Sequence, residues 1–222
     1  MSPTSTPTAN ETLAGFVRTV AAETSVPGGG SVSAVAAAFA AALGAMACRF
    51  TVGREKFRES EAAATAGIEF LDAEAPAFLA LADEDAAAYG LVSAAMKLPK
   101  ESAEEKAARA EAIQAALVKA ARPPLEVARR ALDVADRLAR LRAATNPNLV
   151  SDLGVGLYLA SAAARGALLN VFVNVQSLKQ EATRAPLESD ALALWRRLRA
   201  IDDEGEAVAE KLAGRPLRYN GV

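Results

Sequence analysis

An aspartate stands where the helical pattern of the chain predicts buried, apolar side chains. At about 100° per residue, Asp85 shares one helical stripe with Leu71, Phe78, Ala82, Tyr89, Val92 and Met96. Burial of a carboxylate is costly unless it is paired or protonated, and desolvation raises its pKa toward the range of a general acid/base. Asp85 is therefore a candidate catalytic residue. A structural aspartate, satisfied by an arginine or a helix cap, is the alternative.

A glycine-rich loop, Pro27-Gly28-Gly29-Gly30-Ser31, precedes an Ala-rich helical stretch. It has neither the lysine of a Walker A loop nor the preceding strand of a dinucleotide fingerprint. Glycines before a helix leave N–H groups uncovered at the positive end of its dipole, which suits a carboxylate, a carbonyl or a developing oxyanion. Ser31 is expected to cap the helix. A tight turn between two closely packed helices fits the same spacing equally well.

A second polar line lies on one face of the helix predicted after Ser151, at Asp152, Leu159, Ala163, Gly166, Asn170, Asn174 and Ser177. Asp152 and Asn170 are about 27 Å apart along a helix, so one small site cannot take both from one subunit. Asn170 and Asn174, one turn apart, are candidates for a buried amide pair. Taken alone, the line is more typical of a polar seam against another helix or subunit.

The residue inventory restricts the chemistry further. The chain has 222 residues, no histidine and one cysteine, Cys48, which removes the usual zinc sites and any Ser-His or Cys-His triad. Carboxylates can hold Mg²⁺, but we expect no metal. A net charge of −2 argues against nucleic-acid binding. The single cysteine excludes an internal disulfide and favours a reducing, cytoplasmic location.

The elements that must position these residues are helices. Apolar residues make up 52% of the chain and aromatic residues only 5%, as expected for a core of Ala, Leu and Val. The pattern predicts an all-α fold, an antiparallel helical bundle with long, partly kinked helices. We expect helices over about 10–23, 32–52, 60–96, 102–121, 124–144, 151–181 and 187–212.

Local signals refine these boundaries. Asn10 or Thr12 is the expected N-cap of the first helix and Ser102 that of the fourth, while Pro76 predicts a kink and Pro123-Pro124 a break. The expected organisation is a disordered tail (1–9), one helical domain (10–213) and a C-terminal tail (214–222). Residues 32–48 carry no charge, but a membrane span needs roughly 20 strongly apolar residues. They favour a buried core helix and no membrane partner.

Six motifs, in order along about 11–178, resemble the cyclodeaminase/cyclohydrolase family. The family includes stand-alone methenyltetrahydrofolate cyclohydrolases and the C-terminal domain of formiminotransferase-cyclodeaminase. The motifs are PGGGS (27–31), TVGREKF (51–57), DEDAAAY (83–89), LPK (98–100), NPNLVSD (146–152) and LNVFVN (169–174).

The resemblance implies an all-helical homodimer that binds folate in a cleft, without a metal. By position, Asp85 matches the family's proposed acid/base, and Lys56 matches the last lysine of its basic motif, although a lone lysine near a helix end is usually solvated. The resemblance also implies substrate-binding positions at Gly28, Gly29, Gly30, Ser31, Asn146, Asp152 and Asn170.

The chain departs from the family pattern at four positions. Arg54 and Glu55 replace two lysines, Phe57 replaces tyrosine and Pro147 follows Asn146. Glu55 places a negative charge where the family pattern has a lysine, so this part of the motif is not basic in this chain.

We predict that the protein hydrolyses methenyltetrahydrofolate to formyltetrahydrofolate. The alternatives are a formimidoyltetrahydrofolate cyclodeaminase that releases ammonia, and a catalytically silent folate-binding or scaffold protein.

Overall fold

The computed structural model describes residues 7–217, which form six α-helices and three short 3-10 helices, with no β-strand among them. The α-helices are α1 (Leu13–Val20), α2 (Gly29–Arg49), α3 (Glu61–Met96), α4 (Ala103–Leu141), α5 (Val150–Gln176) and α6 (Glu181–Ala213). The 3-10 helices are Thr8–Asn10, Glu55–Ser60 and Pro147–Leu149. The prediction of an all-helical bundle is confirmed.

Helix α2 lies at the centre of the bundle and packs against α3, α4 and α5. Its alanines account for much of the core, because small side chains let the helix axes approach closely. At Gly44 a Cβ would lie 2.8 Å from Leu71 Cδ1 of α3, so only glycine fits this approach. Helix α5 runs antiparallel to α2, since Asn170 lies against Gly29 and Gly156 lies near Leu43.

Two helix caps follow the sequence prediction and one does not. The Thr12 side chain accepts a hydrogen bond from the Gly15 N–H, and Ser102 forms a capping box with Glu105. The prediction that Ser31 caps α2 is wrong. The helix begins at Gly29 with Gly28 as its N-cap, which places Ser31 inside the first turn with its side chain turned toward α3.

The prolines do not end the helices as predicted. Helix α4 continues through Pro123 and Pro124, and α6 begins six residues before the predicted start and contains Pro186. The rings of Pro123 and Pro124 are buried in the bundle. Packing of these rings offsets the backbone hydrogen bonds that the prolines cannot donate.

The two predicted tails are only partly within the described residues. Residues 1–6 and 218–222 lie outside them. Residues 7–9 do not form a loose tail: the Thr8 N–H and Oγ1 donate to Asp83 Oδ1 of α3 at 3.0 and 2.6 Å. Helix α6 ends at Ala213, where Gly214 adopts the left-handed conformation with a φ of 66°.

Two helical segments, Gly29–Arg49 and Pro147–Gln176, are long and apolar enough to cross a membrane by length and composition alone. Within the bundle, 61% and 50% of their most apolar windows are buried. This degree of burial is what core helices of a folded domain show.

Candidate active site

A polar cavity of about 260 Å³ lies at the end of the bundle where α2 begins. It is lined by Ser25, Val26, Gly28, Gly29, Gly30, Asp85, Tyr89, Ala120, Asn170, Val173 and Asn174. The glycine-rich segment contributes one wall, and α3, α4 and α5 contribute the others. The fold therefore brings together Asp85, the three glycines and Asn170, which were separate candidates in the sequence.

Asp85 is held at this cavity by the first turn of α2. Ser31 Oγ lies 3.1 Å from Asp85 Oδ2 and also 3.1 Å from the Ala82 carbonyl oxygen. A hydroxyl has one proton, so it donates to one of these acceptors at a time. When it turns to Ala82, Ser31 Oγ can accept a hydrogen bond from a neutral Asp85. The pair therefore suits either charge state of the carboxyl group.

Burial raises the pKa of Asp85 above its ordinary value, and hydrogen bonds from the Ser31 side chain and backbone N–H oppose part of that rise. Asp85 is half-buried at the cavity wall rather than enclosed by the predicted stripe. Leu71, Phe78, Ala82 and Val92 are buried as predicted, but Tyr89 is 44% exposed and Met96 is 52% exposed. Those two predicted positions are wrong because, beyond the start of α2, helix α3 turns its Ala88–Val92–Ala95 face toward α4.

The glycines make room for the polar groups of the cavity. A Cβ on Gly30 would lie 2.6 Å from Asp85 Cγ, so a side chain there would displace the carboxyl group. The first hydrogen bond within α2 runs from the Val32 N–H to the Gly28 carbonyl at 3.0 Å. The Gly29 and Gly30 N–H groups precede this bond, at the positive end of the helix dipole.

Asn170 and Asn174 point their amide nitrogens at backbone carbonyls and not at each other. Asn170 Nδ2 donates to the Gly166 carbonyl at 2.9 Å, and Asn174 Nδ2 donates to the Ala120 carbonyl of α4 at 3.0 Å. The predicted amide pair is therefore wrong. A carbonyl can only accept a hydrogen bond, so each of these contacts fixes the orientation of the amide, with its nitrogen toward the carbonyl.

Three other predicted site residues lie at the opposite end of α2. Lys56 is exposed, with its Nζ 5.5 Å from the centre of the Phe57 ring. The Asn146 N–H donates to Thr51 Oγ1 at 2.9 Å, and Asp152 is in the first turn of α5. Helix α2 separates this group from Asp85 by roughly 30 Å of helix.

We name the two groups for the discussion that follows. The glycine end comprises 28–31, Asp85, Asn170 and Asn174. The lysine end comprises Thr51, Lys56, Asn146 and Asp152. One chain presents both groups, but it does not bring them together.

Six residues that line the cavity were absent from the predicted site: Ser25, Val26, Tyr89, Ala120, Val173 and Asn174. Ala120 had a readable signal, because residues 123 and 124, three and four positions later, are both prolines. Neither can donate to the Ala120 carbonyl, which leaves it available to a side chain.

The glycine end combines a carboxyl group of raised pKa, backbone N–H donors and fixed amide oxygens. Such a set can take a proton from water, stabilise a developing oxyanion and return a proton to a departing nitrogen. A larger cavity of about 300 Å³ under the N-terminal segment is mainly apolar and contains none of the predicted site residues.

Sequence comparison places these residues in a known context. The profile of the family described as Formiminotransferase-cyclodeaminase matches residues 12–193. The chain is 37% identical to a methenyltetrahydrofolate cyclohydrolase of Methylorubrum extorquens over 78% of its own length and 83% of that protein. It is 35% identical to the formimidoyltransferase-cyclodeaminase of Mus musculus over 76% of its length, which spans 31% of that protein.

Comparison with solved structures agrees with the sequence result. The fold is similar to that of a formiminotetrahydrofolate cyclodeaminase from Thermotoga maritima, with a TM-score of 0.82 and 26% identity. The match covers 92% of this chain and 98% of that one.

Proposed function

Because this chain belongs to the formiminotransferase-cyclodeaminase family, we propose that it is a methenyltetrahydrofolate cyclohydrolase that produces formyltetrahydrofolate. The observation that carries the proposal is the placement of Asp85 beside the helix N-terminus of α2 in a polar cavity. The identity to a cyclohydrolase over most of both chains supports this activity over its alternatives.

The proposed hydrolysis needs one proton carrier and one oxyanion site. Asp85 takes a proton from a water molecule as its oxygen bonds to the amidinium carbon of the substrate. The Gly29 and Gly30 N–H groups stabilise charge on the new oxygen. The hydroxyl proton of this adduct then leaves to solvent as the carbon–nitrogen bond breaks, Asp85 returns the first proton to the departing nitrogen, and the oxygen remains as the formyl carbonyl. A raised pKa lets one carboxyl group perform both transfers near neutral pH.

The decisive experiment offers the purified protein methenyltetrahydrofolate and formimidoyltetrahydrofolate separately and follows the absorbance of each. We expect hydrolysis of the methenyl compound. Turnover of the formimino compound alone would replace the proposal with cyclodeamination. Folate binding without turnover of either would support a catalytically silent binding protein. The charge reversal at Glu55 is the reason to consider that alternative.

Cyclodeamination is the second candidate, and the Thermotoga maritima cyclodeaminase fold is the observation that favours it. In that reaction an internal nitrogen of the substrate attacks the formimino carbon and ammonia leaves. Asp85 would then accept the proton of the attacking nitrogen and protonate the leaving ammonia. The same residues serve both reactions, so only the two substrates distinguish them.

We also propose that the protein is a homodimer whose partner supplies the lysine end to each glycine end. The exposed sides of α2 and α5 carry large apolar residues at helical spacing: Val32 and Phe39 on α2, Phe50 at the C-cap of α2, and Val155, Tyr158, Leu169 and Val173 on α5. Val173, which lines the cavity, is 69% exposed. An apolar surface of this extent is typical of an interface.

A twofold axis explains why the predicted site residues are split. In an isologous dimer each patch meets its own copy. If α2 and α5 pack antiparallel on those of a partner, the lysine end of one chain approaches the glycine end of the other. Two shared sites then form from residues that are roughly 30 Å apart in one chain.

Mixing two impaired variants tests the shared site. At substrate concentrations well below the wild-type KM, where the rate follows kcat/KM, Asp85→Asn and Lys56→Met homodimers are each expected to have little activity. After exchange of subunits, half the dimers are mixed and each has one intact shared site, so activity should recover to about a quarter of the wild-type value. No recovery despite verified exchange would place each site within one chain.

We propose that the reaction needs no metal. The support is the donor set: histidine is absent from the chain, and the one cysteine, Cys48, is buried away from the cavity. Treatment with a chelator should leave turnover within about twofold of the untreated enzyme. Activity that is lost with chelator and restored by Mg²⁺ would contradict this proposal.

A cytoplasmic location is proposed on the single unpaired cysteine, which suits a reducing compartment. Fractionation of cells that contain the native protein would test it.

A further inference from the structure

Two amide oxygens face the cavity of the glycine end in fixed orientations. Asn170 and Asn174 each use Nδ2 to reach a carbonyl, at 2.9 and 3.0 Å. Because a carbonyl can only accept, the nitrogen of each amide must face it and the oxygen must face away. Among residues 7–217, no group donates to either Oδ1. Both side chains line the cavity.

The anchor of Asn174 depends on the proline pair in α4. In a regular helix the Ala120 carbonyl would accept from the N–H of residue 124, and in a 3-10 turn from that of residue 123. Both residues are prolines and have no N–H. The Ala120 carbonyl therefore has no partner within its own helix and accepts from Asn174 Nδ2 of α5.

Two acceptors one helical turn apart suit a ligand group that carries two donors. Residues at i and i+4 on a helix are about 5–6 Å apart at Cβ. The two N–H bonds of a planar amino group diverge by about 120°, so at 2.9 Å each they reach acceptors about 5 Å apart. A single NH₂ group can therefore bridge Asn170 Oδ1 and Asn174 Oδ1.

We propose that Asn170 and Asn174 together bind the 2-amino group of the pterin ring of the substrate, with Asn174 held in place by Ala120 and the Pro123-Pro124 pair. The inference rests on the proposed folate substrate, whose pterin carries one exocyclic amino group. Asn174 is thereby a specificity-determining residue, and the prolines position it without touching the ligand.

The experiment compares the binding of tetrahydrofolate and its 2-desamino-2-methyl analogue by calorimetry. Wild-type protein should prefer the amino compound by about tenfold, since a buried acceptor left unpaired costs on the order of 1–3 kcal/mol. In Asn174→Leu, and in Asn174→Ala if the leucine variant does not fold, most of this preference should disappear. Ser177→Ala, one turn further along α5 and exposed, should keep it.

The prolines supply the matched pair of variants. Pro124→Ala gives the Ala120 carbonyl an N–H partner in its own helix, so it should weaken the preference by about threefold. Pro123→Ala supplies an α-helical partner to Lys119 instead and should leave the preference near the wild-type value. In the Asn174→Leu background, Pro124→Ala should have no further effect, because its influence acts through Asn174.

Each outcome bears on the inference. An unchanged preference in Asn174→Leu and Asn174→Ala, or additive effects of Asn174→Leu and Pro124→Ala, would overturn it. Binding is measured without turnover, so a protein that prefers the amino compound but converts neither substrate contradicts the proposed function alone. A protein that turns over methenyltetrahydrofolate but shows no preference contradicts this inference alone.

Discussion

The two ends of α2 carry site candidates of the same kind but hold them in different ways. At the glycine end, Asp85, Asn170 and Asn174 each have a hydrogen-bond partner in the protein and face one cavity. At the lysine end, Lys56 is exposed and lies against Phe57 within the 3-10 helix Glu55–Ser60. The charged group of the glycine end is held in a cavity of one chain, whereas that of the lysine end is open to solvent.

This difference separates two contributions to catalysis. A preorganised group costs little to orient when the reaction occurs, so its loss mainly lowers turnover. An exposed cation acts mainly through the contact it makes with substrate or a partner, so its loss also weakens binding. Substitutions at the two ends should therefore differ in the size of their effect and in which kinetic constant they change.

Asp85→Asn gives the largest expected effect. Asparagine keeps the shape and can accept from Ser31, but it cannot carry a proton at neutral pH. Turnover should fall by about 10²–10⁴, while the affinity for folate changes much less. Steady-state kinetics and circular dichroism measure both. Asp83→Asn, on the same helix but bonded to Thr8, is the control. Near-normal turnover in Asp85→Asn would leave Asp85 with a structural role only.

Asp85→Asn should also change the thermal stability of the protein. Burial raises the pKa of folded Asp85, so the folded state binds the proton more tightly than the unfolded state. The carboxyl group therefore lowers stability progressively as the pH rises from the unfolded pKa of about 3.9 through the folded pKa. Asp85→Asn should melt above the wild type at pH 7, with a difference that shrinks toward pH 3. A difference independent of pH would contradict this.

Gly30→Ala should have the next largest effect, because the new Cβ would overlap Asp85 and move its carboxyl group. A misplacement of about 1 Å can cost on the order of 10² in rate, so we expect turnover to fall by roughly that factor. Gly90→Ala is the matched control. Its Cβ would enter open space on α3, and the helix should gain about 0.5–1 kcal/mol of stability. Equal turnover losses in both variants would show that the Gly30 approach is unimportant.

Lys56→Met tests the lysine end. We expect KM to rise by about tenfold and turnover to fall by a smaller factor, because an exposed cation contributes mostly to binding. Lys106→Met, on the exposed side of α4, should change neither constant. A loss of turnover in Lys56→Met as large as that in Asp85→Asn would remove the distinction between the two ends.

Ser31→Ala should have the smallest effect and sharpens the account of the glycine end. The Ser31 hydroxyl stabilises the charged carboxylate, so its loss should raise the pKa of Asp85 further. The acid limb of the kcat/KM profile should move to higher pH, because more hydroxide is needed to ionise the base. Ser33→Ala, whose hydroxyl bonds to the Gly29 carbonyl, is the control. A shift to lower pH would contradict the assignment.

Local signals in the sequence predicted local structure well. The Thr12 and Ser102 caps depend on atoms within three residues, and both form. The break at Pro123-Pro124 was predicted from the same kind of rule and is wrong, because burial of both rings in the bundle is a tertiary effect. A rule about neighbours in sequence contains no information about what packs on the helix.

The candidate site was predictable only in part for a related reason. Asp85 could be placed on a buried stripe because helical periodicity is local. The periodicity of one helix does not indicate where the helix packed against it begins or ends. Gly30 of α2 stands opposite Asp85. The following turns of α3 extend past α2 and bury Ala88, Val92 and Ala95 against α4, which leaves Tyr89 and Met96 exposed. The separation of Asp85 from Lys56 was predictable, because the predicted helix over 60–96 places Asp85 about 37 Å beyond its start at 1.5 Å per residue.

During synthesis, α2 leaves the ribosome well before one of the helices that cover it. Helix α3 follows directly and covers one side, but α5 ends at Gln176, roughly 130 residues later, which at 5–20 residues per second takes about 6–26 s. Through that interval α2, which has no charge over 32–48, lacks the helix that covers its second side in the folded protein. The yield of folded protein should therefore depend on the speed of translation between α2 and α5.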